Sequence, residues 1–136
     1  MTIALWCVFV GVLLPYIGFG IARNRGRDSG GKRLRDNSNP RDFPNRIEGV
    51  AKRAWDAHLN AFESLPGFGL AVVVAHLALA PQSRIDLFAV VWVVARVAHM
   101  AFYLGDAATL RSFAQVVSLA CVVGIFVVAG VGVSRR

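Results

Sequence analysis

From Ile3 to Ala22 the chain runs for twenty residues without one charged side chain. At about 1.5 Å of rise per residue, such a stretch spans the roughly 30 Å hydrocarbon core of a bilayer as a single helix. Three further apolar stretches follow, so this is a property of the whole chain and not of its start. With 56% of its 136 residues hydrophobic, the sequence has the composition of a membrane protein and the length of one domain. In lipid every backbone polar group must be satisfied within the span or by a closed barrel, and long runs without alternation select helices.

The predicted fold is therefore all-α, an integral membrane four-helix bundle occupying residues 1–136 as a single domain. Its helices fall at about residues 3–22, 48–80, 84–104 and 110–133, with a basic polar loop over 23–47. Pro15 and Pro66 are expected to kink the first two helices without ending them, because neighbouring helices in lipid can satisfy the freed carbonyls. Pro81-Gln82-Ser83 reads as a tight turn, and Gly105-Asp106 as the end of the third helix. Met1-Thr2-Ile3 lacks the basic start of a signal peptide, so the first helix is expected to be uncleaved, with Trp6 as an interfacial anchor.

The net charge of +7 raises nucleic-acid binding as a class, but ten of the fifteen basic residues lie between Arg23 and Arg53. That clustering suits a membrane-flanking loop on the cytoplasmic side, and no nucleic-acid partner is expected. Placing the loop inside puts the turn at Pro81 and the C-terminus outside, with Arg135-Arg136 as a contrary sign at that outer end. Cys7 and Cys121 sit in apolar runs and read as packing residues, with no metal site implied.

Two polar stripes interrupt this apolar background. Arg53, Asp56, Asn60 and Glu63 fall within roughly an 80° arc of the second helix, and Arg96, His99 and Tyr103 within roughly 60° of the third. A charge at a helix centre costs at least about 2.5 to 3.5 kcal/mol on insertion scales, so the stripes should face each other or a wet crevice. Counting from the turn at Pro81, Glu63 falls at a depth of about 27 Å, His99 and Tyr103 at about 24 and 30 Å, and Asn60 near 31 Å beside Tyr103. Arg111-Ser112 opens the fourth helix at the same end, where the helix dipole favours an anion and lowers the pKa of a thiol. The purely structural alternative is that Glu63 with Arg96, or Asp56 with Arg53, are ion pairs holding helices together. His58 and His76 lie apart from the stripes and read as packing or interfacial residues. Ala120 and Gly124, at small-xxx-small spacing, suggest a helix–helix interface between subunits.

The segment Arg53-Ala54-Trp55-Asp56-Ala57-His58-Leu59-Asn60-Ala61-Phe62-Glu63-Ser64-Leu65-Pro66 resembles the second-helix signature of the membrane-associated proteins in eicosanoid and glutathione metabolism, the MAPEG family. Arg96-Val97-Ala98-His99-Met100-Ala101-Phe102-Tyr103-Leu104-Gly105 is similar to the family's third-helix signature. The resemblance extends from the first helix to the fourth and is nearest to the microsomal prostaglandin E synthase and glutathione transferase branches. It implies a homotrimer with glutathione bound as cosubstrate between neighbouring subunits near the cytoplasmic face. It makes Asn60, Glu63, His99, Tyr103 and Arg111 glutathione contacts, joined by Arg96 and Arg53, and it makes Ser112 a partner of the thiol beside Arg111. Leu59 stands where several members carry Arg, which removes one anion contact that Arg53 or a loop Arg could replace.

The expected activity is that of a glutathione transferase or peroxidase working on a lipophilic small-molecule substrate drawn from the lipid bilayer, with Arg111 and Ser112 as the catalytic pair. The alternative is a non-catalytic lipid-binding or scaffold protein of the same fold. A small transporter fits less well, because the polar residues gather at one end and not at the midplane.

Overall fold

A computed structural model of the chain describes residues 1–27, 30–34 and 39–134, the last three of these by their backbone alone. Ser29 and the Arg135-Arg136 pair lie outside the described residues. Four long helices carry the fold: α1 over Ile3–Arg25, α2 over Gly49–Leu77, α3 over Gln82–Leu104 and α4 over Ala108–Ser134. Each is long and apolar enough to cross a membrane. A short 3-10 turn, Phe43–Asn45, interrupts the α1–α2 loop.

The helices run up and down. Ala4 and Cys7 at the start of α1 share a core with Ala71, Val72 and Ala75 near the end of α2, while Ala22 packs with Ala51 and Ala54 at its beginning. Helix α1 lies chiefly along α2 and α4 along α3; α2 and α3 form the centre, and α1 and α4 share no substantial interface. The buried face of α2 is a ladder of alanines, Ala51, Ala54, Ala57, Ala61, Ala71 and Ala75. Small side chains let helix backbones approach in lipid, where dispersion and not water exclusion drives association. Gly18 serves the same end, since a Cβ there would lie 3.2 Å from the Ala54 carbonyl oxygen and from the His58 backbone.

The loop turns its apolar residues onto the end of the bundle. Leu34, Phe43 and Ile47 are buried with Ala22, Ala51 and Ala54, and Arg23 lies over the rings of Phe19 and Phe43 at 6.0 and 5.6 Å. The outward face of each helix is the reverse: Leu70, Val73, Leu87, Val94, Phe113 and Val116 are among many exposed apolar side chains. In water that surface would drive aggregation, and in a bilayer it is the lipid-facing surface.

Helix α2 stops at Leu77, short of the expected Ala80. The reason is a Schellman turn: Leu79 adopts φ 52°, its N–H bonds the His76 carbonyl at 3.0 Å, and the Ala80 N–H bonds the Ala75 carbonyl at 3.0 Å. The end of α3 repeats the motif with Asp106 at φ 60°, the Asp106 N–H on Tyr103 and the Ala107 N–H on Phe102. Neither turn uses glycine at the left-handed position, so glycine spacing alone marks neither boundary to the residue.

At the turn end, three helices are tied by polar contacts. His76 bonds the Val72 carbonyl through Nδ1 at 2.8 Å and meets Thr2 Oγ1 through Nε2 at 3.0 Å, while Thr2 caps the Leu5 N–H at 3.4 Å. Asp86 accepts from the Ala4 N–H at 2.8 Å and from Gln82 Nε2 at 2.7 Å. His58 is likewise structural: its Nδ1 bonds the Pro15 carbonyl at 2.8 Å and its ring lies among Phe19, Trp55 and Phe62.

One interface expectation is corrected. A Cβ on Gly124 would stand 2.7 Å from the Phe88 ring of the same chain. Gly124 therefore admits α3 against α4 within the subunit, and only Ala120 of that pair is exposed.

Candidate functional site

Arg96 organises the polar interior. It is 1% exposed, which a guanidinium within a membrane span tolerates only when its N–H groups are matched. Its Nη2 donates to the Asn60 side-chain oxygen at 2.7 Å and to the Asn60 backbone carbonyl at 3.1 Å. Its Nη1 donates to Gln115 Oε1. One cation on α3 thus fixes a side chain of α2 and a side chain of α4. Among the described residues its Nε alone is buried without a partner.

The contact between Asn60 and Arg96 corrects the expected level of Asn60 beside Tyr103. Residues 78–81 are consumed by the Schellman turn and add little axial rise. Measured from the true helix ends, Asn60 lies about 26 Å and Arg96 about 21 Å from the turn, a gap that a long arginine side chain bridges.

Beside this triad, α2, α3 and α4 enclose a recess of about 230 Å³ that opens to the side of the subunit. Asn60, Glu63, Ser64, Gln115 and Ser118 give it polar groups towards the loop end, and Gly67, Trp92, Leu119 and Val122 form its apolar wall towards the turn end. Both serine hydroxyls donate to carbonyls of their own helices, Ser64 to Ala61 at 3.0 Å and Ser118 to Gln115 at 2.8 Å. Glu63 is exposed on the single chain, and among the described residues it has no ion pair within 4.0 Å. The alternative of a Glu63–Arg96 bridge is therefore not formed, and Arg96 is held by amides.

Towards the loop end, Arg111 lies over the Tyr103 ring with its guanidinium carbon 4.3 Å from the centroid. Tyr103 meets the buried His99 edge to face at 5.5 Å. Gln115 follows Arg111 one turn later on the same face of α4, but Arg111, Tyr103 and His99 do not themselves line the recess. Helix α4 begins at Ala108, one turn before Arg111, and the Arg111 N–H is already bonded to the Ala107 carbonyl at 3.0 Å. The unpaired N–H groups of the helix start therefore belong to residues 108–110 and not to Arg111-Ser112. Ser112 is exposed, turned about 100° from Arg111 around the helix.

The second-helix stripe divides in two. Asn60 and Glu63 reach the recess, but Arg53 closes the end of α3, with Nε on the Leu104 carbonyl at 3.3 Å and Nη1 3.7 Å from the Asp106 carboxylate. Asp56 pairs with Lys52 at 3.2 Å and not with Arg53. Gln115 and Ser118 were not singled out from the sequence. The signal for both was present: two polar residues at i and i+3 that carry the face of Arg111 on into the apolar run of a membrane-spanning helix.

These features define a class: a four-span helical membrane protein whose central helices enclose an arginine-centred polar recess within the membrane span. The sequence profile of the MAPEG family matches residues 3–131, and the chain belongs to that family. No individual curated protein matches the chain.

Proposed function

We propose that this protein is a glutathione transferase acting on lipophilic electrophiles dissolved in the bilayer. The observation that supports it best is the buried Arg96 guanidinium held by the Asn60 and Gln115 amides beside a recess that Glu63 also lines, with a second, half-buried guanidinium, Arg111, on the Tyr103 ring of the same helix pair. Glutathione carries two carboxylates, an ammonium group, two amides and a thiol, so it complements a site of net positive charge that retains one carboxylate. In this reading the Arg111 cation stabilises the thiolate. The sulfur attacks an electrophilic carbon, the new C–S bond forms as a halide departs with its bonding pair, and the thiol proton passes to solvent at the membrane boundary. Arg53, engaged at the end of α3, acts on the site through the position of Tyr103 and Leu104.

The homotrimer belongs to the same proposal. A recess of about 230 Å³ falls below the roughly 300 to 1,000 Å³ of ordinary ligand pockets, and a tripeptide needs more wall than one chain supplies. The exposed Glu63 carboxylate also needs cover from lipid. A neighbouring subunit meets both needs and could bring its own surface to Ser112. Calorimetry of the detergent-solubilised oligomer should give a saturable glutathione isotherm in the micromolar to millimolar range. A flat isotherm at millimolar glutathione would leave the scaffold reading in its place.

The orientation expected from this function puts the basic loop in the cytoplasm, where the thiol is supplied. In a background lacking Cys7 and Cys121, an impermeant maleimide applied from outside should label Ser83→Cys and spare Asn39→Cys. Labelling of position 39 instead reverses the topology.

A further inference from the structure

A second concavity lies at the loop end of the bundle, along α1. Ile17 and Ile21 of α1, Val50 at the start of α2 and Leu104 at the end of α3 wall a groove of about 550 Å³, and Asn24 and Arg25 stand at its head. A volume of that size falls within the roughly 300 to 1,000 Å³ of ordinary ligand pockets. Ile17, Ile21 and Asn24 follow one another at helical spacing, so the groove runs along α1 and covers about 12 Å of axial rise from Ile17 to Arg25. The uncharged run of α1 ends at Ala22. The wall therefore lies within the apolar span, and the head lies where the span gives way to charge. Arg25 is exposed, and its side chain has no hydrogen bond, ion pair or ring contact among the described residues. The arginines on either side are committed to the protein: Arg23 lies on the Phe19 and Phe43 rings, and Arg27 donates to the Gly31 carbonyl at 3.0 Å. An unpaired cation is ordinary in water, but this one stands at the head of an apolar groove at the membrane boundary.

We infer that this groove seats an anionic phospholipid of the loop-side leaflet, with its phosphate on Arg25 and Asn24 and one acyl chain along Ile17, Ile21 and Leu104. Charge complementarity decides the occupant. An uncharged lipid fills the wall but leaves the cation unmatched, and a zwitterionic headgroup brings an ammonium group towards Arg23, Arg25 and Arg27. A headgroup of net negative charge meets no such repulsion. The bound lipid bridges three helices at the end where Arg53 holds the Leu104 carbonyl at 3.3 Å. It thereby ties α1, which packs chiefly along α2, to the end of α3. The inference is independent of the transferase reading, because no residue of this groove lines the recess beside Arg96.

Native mass spectrometry of the detergent-solubilised protein, titrated with dioleoylphosphatidylglycerol in mixed micelles, tests it. Retention should saturate at one lipid per chain, with a half-saturation point about fivefold below that of dioleoylphosphatidylcholine. Arg25→Gln should raise that point about fivefold and remove most of the preference between the two lipids. Gly20 also lines the groove, and a Cβ there would meet nothing within 4 Å. Gly20→Leu therefore fills the groove without displacing protein atoms and should weaken retention of both lipids. Arg25→Gln, at an exposed position, carries the test if the leucine variant does not fold. Arg41→Gln removes a loop cation that does not line the groove and should leave retention at the wild-type level. Equal weakening in Arg41→Gln and Arg25→Gln makes the attraction a property of the whole basic loop and overturns the site. Retention unchanged in both Arg25→Gln and Gly20→Leu overturns it as well. A wild-type protein that retains phosphatidylglycerol no better than phosphatidylcholine also overturns it, and if Gly20→Leu then dissociates the oligomer, the groove belongs to a second copy of the chain.

Discussion

Replacing Arg96 with leucine should leave a folded protein that has lost at least tenfold in glutathione affinity. The two consequences follow from opposing magnitudes. Removing the guanidinium relieves a buried cation, worth about 2.5 to 3.5 kcal/mol on insertion scales. It also leaves the Asn60 and Gln115 oxygens without their donor, at about 1 to 3 kcal/mol for each acceptor that stays dry. These terms nearly offset, so the helical melting temperature should shift by only a few degrees. The recess gains no such compensation. Asn60 and Gln115 line it, and Arg96 holds both. Freed side chains must be re-ordered by the ligand, and the nearby positive charge is gone. Arg96→Lys keeps a charge but cannot fork to both amides, so its affinity should fall between the two. Calorimetry on both variants, with melting followed by circular dichroism, reads the outcome. Wild-type affinity in both variants would reduce Arg96 to a helix tie.

The membrane fold was legible in the sequence because lipid imposes a length rule on each span, and four runs obey it. Turns were less legible. The helix ends at Leu79 and Asp106 use non-glycine residues in the left-handed conformation, closed by local backbone hydrogen bonds that no residue type marks. That small error propagated: three residues lost from α2 changed which α3 residue Asn60 reaches. The polar residues of α2 and α3 were visible because charge in an apolar run is conspicuous. Their division of labour was not. Arg53 and Asn60 share a helical face, but the chain bends at the end of α3 to offer the Leu104 carbonyl and Asp106, and Arg53 goes there. Gln115 was overlooked because it is uncharged, although it alone carries the network onto α4.

Arg111→Ala should reduce turnover roughly a hundredfold, the scale seen when one electrostatic stabiliser is removed from an active site, and should weaken glutathione binding much less. The local geometry supports the asymmetry. The Arg111 side chain makes no hydrogen bond among the described residues, and its fixed contact is the Tyr103 ring. A cation–π contact at a partly exposed position contributes about 0.5 to 1 kcal/mol, so losing it should not unfold the bundle. The positive charge near the start of α4 is unfavourable to the helix dipole, and the electron-rich ring face offsets part of that cost. A guanidinium held by so soft a contact is free to approach a sulfur anion as it forms. Wild type should therefore hold the bound thiol ionised below its free value of about 8.5, and Arg111→Ala should move the thiolate absorbance midpoint upward in pH. Ser112→Ala should have the smaller effect, worth a single hydrogen bond of about 0.5 to 1.5 kcal/mol. Tyr103 supplies the control that separates position from charge. Tyr103→Phe retains the ring face and should keep the wild-type midpoint, whereas Tyr103→Leu removes it and should move the midpoint part of the way towards the Arg111 variant. If Arg111→Ala ionises glutathione at the wild-type pH and turns over normally, the cation at the head of α4 has no part in the chemistry, and its stacking on Tyr103 only anchors α3 to α4.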